Sequence, residues 1–116
     1  MSDIKTYYLI RKDLNMSIAK TAVQVGHGTD YVHYYGSCYK HFSGWVENSR
    51  KKIVLKIDDL THLDKIKEKL REDNIHYETI EDNGLTELNG KTITGIVILP
   101  LNEEDVPKYI KRLRLF

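Results

Sequence analysis

This chain of 116 residues contains one cysteine, two prolines and one tryptophan. A lone Cys38 cannot close an internal disulfide, which suits a reducing compartment, and no Cys-x-x-Cys spacing exists to build a zinc or redox centre. The histidines at 27, 33, 41, 62 and 76 lack metal-ligand spacing, so no metal site is expected. The longest apolar stretch, Ile96 to Leu101, is far too short to cross a bilayer. The opening MSDIKTYYLI has no basic segment leading into an apolar one, so the cytoplasm is the expected location and no membrane partner is expected. Charge of one sign is also missing: the formal net charge is +1, which gives no global argument for a polyanion partner. Without repeats, low-complexity tracts or a Pro/Gly/Ser-rich linker, residues 1–116 are expected to form one domain.

What is present reads as alternating strands and helices. Ile4 to Arg11 has Ile4, Thr6, Tyr8 and Ile10 on one face and Tyr7 and Leu9 on the other, a strand buried on both sides. Ser17 is placed to cap a helix running to about Tyr35, where Gly36 stops it. A weaker helical stretch spans about Tyr39 to Glu47. Lys52 to Ile57 alternates as a strand, and Asp59 or Thr61 caps a helix carrying Leu63, Ile66 and Leu70 that Asn74 ends. Ile75 to Ile80 and Thr92 to Leu99 read as two further strands, the second closed by Pro100. Val106, Ile110 and Leu113 suggest a short amphipathic turn or two near the end. This order predicts an α/β fold: a mixed sheet of about four strands with helices on both faces in one compact domain. The crossover helices predict parallel neighbours, and the last two strands an antiparallel pair.

Two features carry candidate chemistry. At about 100° per residue, Ile18, Ala22, Val25 and Val32 fall on one side of the first helix, and Lys20, Gln24, His27 and Tyr31 fall opposite. A cation, an amide, an imidazole and a phenol within three turns can bind phosphate, ribose or a polarised carbonyl, although a solvated helix face has the same pattern. Gly26 and Gly28 cost about 1 kcal/mol each inside a helix, which asks for a packing or functional reason. The second feature is Glu81-Asp82-Asn83-Gly84-Leu85-Thr86, a carboxylate and a hydroxyl four residues apart around an Asn-Gly turn. Its bland reading is a turn with Asp82 bonded to the loop backbone. Three common chemistries are excluded. There is no Gly-x-x-x-x-Gly-Lys loop and no Gly-x-Ser-x-Gly elbow, and Gly26-His27-Gly28 sits inside a helix where a dinucleotide fingerprint would follow a strand. Basic residues gather in three clusters: Arg11 and Lys12; Arg50, Lys51 and Lys52; and Lys108, Lys111, Arg112 and Arg114.

The run from Arg11-Lys12-Asp13-Leu14-Asn15-Met16 through Lys20-Thr21-Ala22-Val23-Gln24-Val25-Gly26-His27 resembles the N-terminal signature of the type 2 peptidyl-tRNA hydrolases, Arg-x-Asp-Leu-x-Met-x-x-Gly-Lys-x-Ala-x-Gln-x-x-His. Asp82-Asn83-Gly84-Leu85-Thr86 is similar to that family's Asp-Ala-Gly-x-Thr loop. Trp45 with the strand that follows it, Thr94 to Pro100 and the final Leu113-Arg114-Leu115 also fit the pattern. The resemblance implies hydrolysis of the ester joining a peptide to tRNA, with no cofactor, and a homodimer for which Tyr34, Tyr35 and Trp45 are surface candidates. It implies Lys20, Asp82 and Thr86 as the catalytic set, Gln24 and His27 as substrate-binding residues, and the basic Arg11 and Lys12 as contacts to the RNA. The departures are Ala19 for the motif's glycine, Gly28 where alanine is usual, and Asn83 and Leu85 within the aspartate loop. The competing expectations are a non-catalytic tRNA-binding or protein-interaction module of the same fold, and an esterase or amidase acting on another acyl group.

Overall fold

A computed structural model describes residues 3–85 and 88–116. Strand β1 (Ile4–Arg11) is followed by helix α1 (Ile18–Tyr35), a 3-10 turn at Gly36–Cys38, the short α2 (Phe42–Glu47) and strand β2 (Lys51–Ile57). Helix α3 (Leu60–Glu72), β3 (Tyr77–Asp82), β4 (Thr92–Asn102), a second 3-10 turn and the single turn α4 (Lys108–Lys111) complete the described chain. The four strands form one mixed sheet in the order β2-β1-β4-β3. β1 and β2 are parallel, and β4 runs antiparallel to both β1 and β3. β1, β2 and β3 therefore all end at the same end of the sheet.

Alternation along β1 splits the core in two. Tyr7 and Leu9 face α3 and α4, with Leu55, Ile57, Leu63, Ile66, Leu70, Ile96, Ile98, Val106 and Ile110. Tyr8 and Ile10 face α1 and α2, with Val32, Trp45, Ile80 and Val97. Burying each of these large side chains contributes about 1.5–3 kcal/mol, so the helices on both faces are held chiefly by apolar area. Among the described residues no helix is long and apolar enough to cross a membrane.

The caps read from the sequence form. Ser17 Oγ accepts from the Lys20 N–H at 3.0 Å, and Asp59, not Thr61, caps α3 by accepting from the His62 N–H at 2.8 Å. Asn74 ends α3 in the left-handed region, with Ile75 N–H bonded to the Leu70 carbonyl. That capping bond draws Ile75 into the helix end, so β3 starts at Tyr77 and continues through Asp82, two residues later than alternation alone suggests.

β4 does not stop at Pro100. It runs to Asn102, because its register against β1 shifts between Lys5 and Tyr7, and because β3 pairs no further along it than Ile98. A proline without an N–H is tolerated where the ladder is broken on one side and absent on the other. α2 is shorter than expected, since Tyr39 to His41 form a turn before it.

The largest difference lies in α1. Ile18, expected on the packed side, is 93% exposed, while Lys20, Thr21, Gln24, Gly28 and Val32 are buried. The packed arc thus straddles the two stripes, and its first two turns bury polar groups.

Candidate active site

Three local features build the site. The Ser17 cap sets the start of α1, so Lys20 and Gln24, one turn apart, descend on the sheet together. In β3, alternation puts Ile80 and Asp82 on the face beneath α1 and leaves Glu81 exposed. In β4, the register against β3 steps from Gly95 opposite Ile80 to Ile93 opposite Glu81. Thr94 is the extra residue of this bulge, and its buried hydroxyl is aimed at Gln24.

Gln24 is wholly buried, and both ends of its amide are engaged. Thr94 Oγ1 donates to Oε1 at 2.7 Å, which leaves Nε2 to donate to Asp82 Oδ2 at 2.9 Å. Lys20 Nζ lies 3.1 Å from the same carboxylate oxygen, and His27 Nε2 lies 3.4 Å from it. The other oxygen, Oδ1, accepts from the Gly84 N–H at 2.7 Å. Gly84 has φ +73°, and any side-chain carbon there would overlap the Gly90 carbonyl, so this turn requires glycine. The bland reading of the loop, a turn bonded to Asp82, is therefore part of the site's construction.

Asp82 is only 4% exposed, and its carboxyl is held well below the usual carboxylate range. The Gln24 hydrogen bond is the largest cause; burial opposes it, and the Gly84 N–H and the Lys20 ammonium add to the lowering. A carboxylate so stabilised as the anion is a poor base and a strong electrostatic anchor. Lys20 is likewise buried, at 8% exposure. A buried ion pair adds little net stability compared with an apolar pair of similar volume. Its presence beneath α1, at the end of the sheet where three strands stop, points to chemistry.

The structure thus brings Lys20, Gln24, His27 and Asp82 into one cluster, although Gln24 and Asp82 stand 58 residues apart in the chain. Thr86 lies outside the described residues. Arg11 stands at the same sheet end, paired through two nitrogens with Asp13 and donating NH1 to the Ile93 carbonyl at 2.8 Å. Lys12 is exposed and paired with Asp58 at 3.2 Å. Tyr31 is only partly buried and packs against the α1-side core. Thr94 gives little sequence signal, because a threonine inside an apolar strand looks like an ordinary β-former. The adjoining Gly95, whose absent side chain lets β4 approach the Leu9 carbonyl, is the one local sign of irregularity.

The chain matches the family model described as Peptidyl-tRNA hydrolase PTH2 over residues 4–116. It is 36% identical to a peptidyl-tRNA hydrolase of Thermococcus sibiricus over 117 aligned residues, covering 99% of each chain. It is 35% identical to those of Pyrobaculum aerophilum, covering 98% of each, and Thermococcus onnurineus, covering 96% of each. With the signature on α1 and the aspartate at the end of β3 joined in one buried cluster, and with the match running from Ile4 to the last residue, this chain belongs to the peptidyl-tRNA hydrolase PTH2 family.

Proposed function

We propose that the Lys20–Gln24–His27–Asp82 cluster is the site at which this chain hydrolyses the ester between peptide and tRNA, releasing both. The observation that carries the reading is the buried carboxylate of Asp82 with Gln24, Lys20 and His27 around one oxygen. Water adds to the ester carbonyl, the bond to the ribose oxygen breaks, and the water's proton ends on that oxygen.

Asp82, held as the anion, orients rather than deprotonates the water. His27, half-buried with Nε2 3.4 Å from the same carboxylate, holds substrate beside it. Lys20 supplies positive charge for the oxyanion or the 3′-terminal phosphate. Gln24, expected at the substrate, acts through Asp82 because its amide is spent inside the cluster. Thr86 joins the catalytic set in this proposal, holding the water with Asp82. Arg11 and Lys12 provide cationic contact to the RNA at the same sheet end. Residues 1–116 act as one domain in the cytoplasm, without a cofactor.

A homodimer belongs to the same reading. Trp45 is buried and serves the core, whereas the outer side of α1, with Ile18, Ala22 and Val23 exposed and Tyr34 further along, is an apolar surface that the chain's own fold leaves uncovered. The mass of the purified protein in solution tests that part.

The function is tested by release of the blocked amino acid from N-acetyl-aminoacyl-tRNA, compared with simple esters, with chelator present. Turnover of the tRNA ester alone is the expected result. Turnover of simple esters at a comparable rate would assign a general esterase, and tRNA binding without turnover a binding module.

A further inference from the structure

At the opposite edge of the same sheet end lies a second concave site with no part in the cluster around Asp82. Lys12, Lys56, Asp58, His62, Arg112 and Arg114 line a cavity of about 310 Å³. The sequence scatters these residues over three segments: the end of β1, the end of β2 leading into α3, and the C-terminal stretch. Backbone pairing fixes the last of these. The Lys56 N–H donates to the Arg114 carbonyl at 2.8 Å, the Phe116 N–H to the Val54 carbonyl at 2.9 Å, and Leu115 bridges Leu55. The C-terminal stretch is thus an extra, short antiparallel partner of edge strand β2, which covers that edge and holds Arg112 and Arg114 in place.

Four cations meet one carboxylate here. Asp58 pairs with Lys12 at 3.2 Å and lies 3.5 Å from His62. In a chain whose formal net charge is +1, this is a strong local concentration of positive charge. Two arginines offer planar forks of N–H donors, the geometry that suits phosphate oxygens.

We infer that this cavity binds a backbone phosphodiester of the tRNA substrate, and so measures the distance from the ester to the body of the RNA. The inference rests on the proposed function. β2 and β3 are the two edges of the sheet, three strand spacings or about 14 Å apart, and both end on the same side. A phosphate bound at the far edge belongs to a nucleotide upstream of the one that carries the ester. The site therefore acts on long substrates and not on the terminal nucleoside.

The test compares N-acetyl-aminoacyl-tRNA with N-acetyl-aminoacyl-adenosine, which carries the ester but none of these phosphates. Both are turned over by the unmodified protein and by the variant Arg112→Glu/Arg114→Glu, at several salt concentrations. Both side chains are exposed, and the milder Arg112→Gln/Arg114→Gln serves if charge reversal disturbs folding. The expected result is a KM for the tRNA ester raised about tenfold or more with kcat unchanged, no change for the adenosine ester, and a salt dependence of log KM shallower by about two. An unchanged KM for the tRNA ester, or equal changes for both substrates, would overturn the inference while leaving the proposed function standing. If the unmodified protein turned over neither substrate, the proposed function would fail and this inference with it.

Discussion

The two faces of the sheet are built on different terms. Under α3 and α4 the buried residues are apolar throughout, and α3 presents Leu63, Ile66 and Leu70 at helical spacing. Under α1 the apolar core is smaller, and its end is taken by Lys20, Gln24, Asp82 and Thr94, all buried and all bonded. One face stores stability; the other accepts desolvation of charge and amide to hold a carboxylate as its anion. The difference teaches where to look for function: at the face whose burial the hydrophobic effect does not explain.

Damage to the α3 side should therefore lower stability and leave the rate of the folded protein intact, whereas damage to the α1 side should lower the rate itself. The largest expected effect on stability is Leu63→Ala, which opens the α3 side and costs about 2–5 kcal/mol in denaturant unfolding, with kcat of the folded fraction unchanged. Lys20→Met keeps the length of the stem but removes the charge; kcat of the folded fraction is expected to fall about 10²–10³-fold, and the buried Asp82 carboxylate, left without that partner, lowers the unfolding midpoint as well.

Thr94→Val sharpens the comparison further, because it touches neither substrate nor Asp82. Losing the hydroxyl frees the Gln24 amide from its fixed orientation, so the main cause of Asp82's lowered pKa weakens. In the unmodified protein a depressed carboxyl stays ionised as pH falls through the usual carboxylate range, and kcat/KM keeps its value there as far as Asp82 is concerned. The variant is expected to lose activity at a higher pH, read as an acid limb of the kcat/KM profile moved upward; a purely structural role for Thr94 would lower stability without moving that limb. The same depression contributes stability that is present above the unfolded value of about 3.9 and is lost as pH falls through the lower folded value.

The two glycines of α1 give the smallest and most local contrast. A methyl at Gly28 would lie 2.8 Å from the Tyr8 ring and 3.1 Å from Ile80, so Gly28→Ala is expected to cost about 1–3 kcal/mol. A methyl at Gly26 meets nothing within 4 Å, so Gly26→Ala is expected to stabilise the helix by up to about 1 kcal/mol. Thermal melts of the pair read both signs.

These same contrasts explain what is legible in the sequence. α3, with its cap narrowed to Asp59 or Thr61, the doubly buried β1 and the extent of α1 follow from periodicity and capping, because there the local pattern and the tertiary packing agree. The packed side of α1 does not follow, because amphipathic analysis assigns lysine and glutamine to solvent, and here they are buried against Asp82. The passage of β4 through Pro100 and the bulge at Thr94 depend on strand partners far away in sequence. The positions of Lys20, Gln24, His27 and Asp82 are readable through the family resemblance. Their common focus on one carboxylate oxygen is not, since it depends on sheet order and on the bulge.

Asp82 is the anchor of the chemistry in this cluster. The most direct test is the single-turnover rate of ester cleavage in N-acetyl-aminoacyl-tRNA by Asp82→Asn beside the unmodified protein, with unfolding curves for both. The account predicts a rate lower by about 10²–10⁴-fold in a protein that still folds cooperatively and still binds tRNA. A folded Asp82→Asn protein cleaving the ester at the unmodified rate would contradict it.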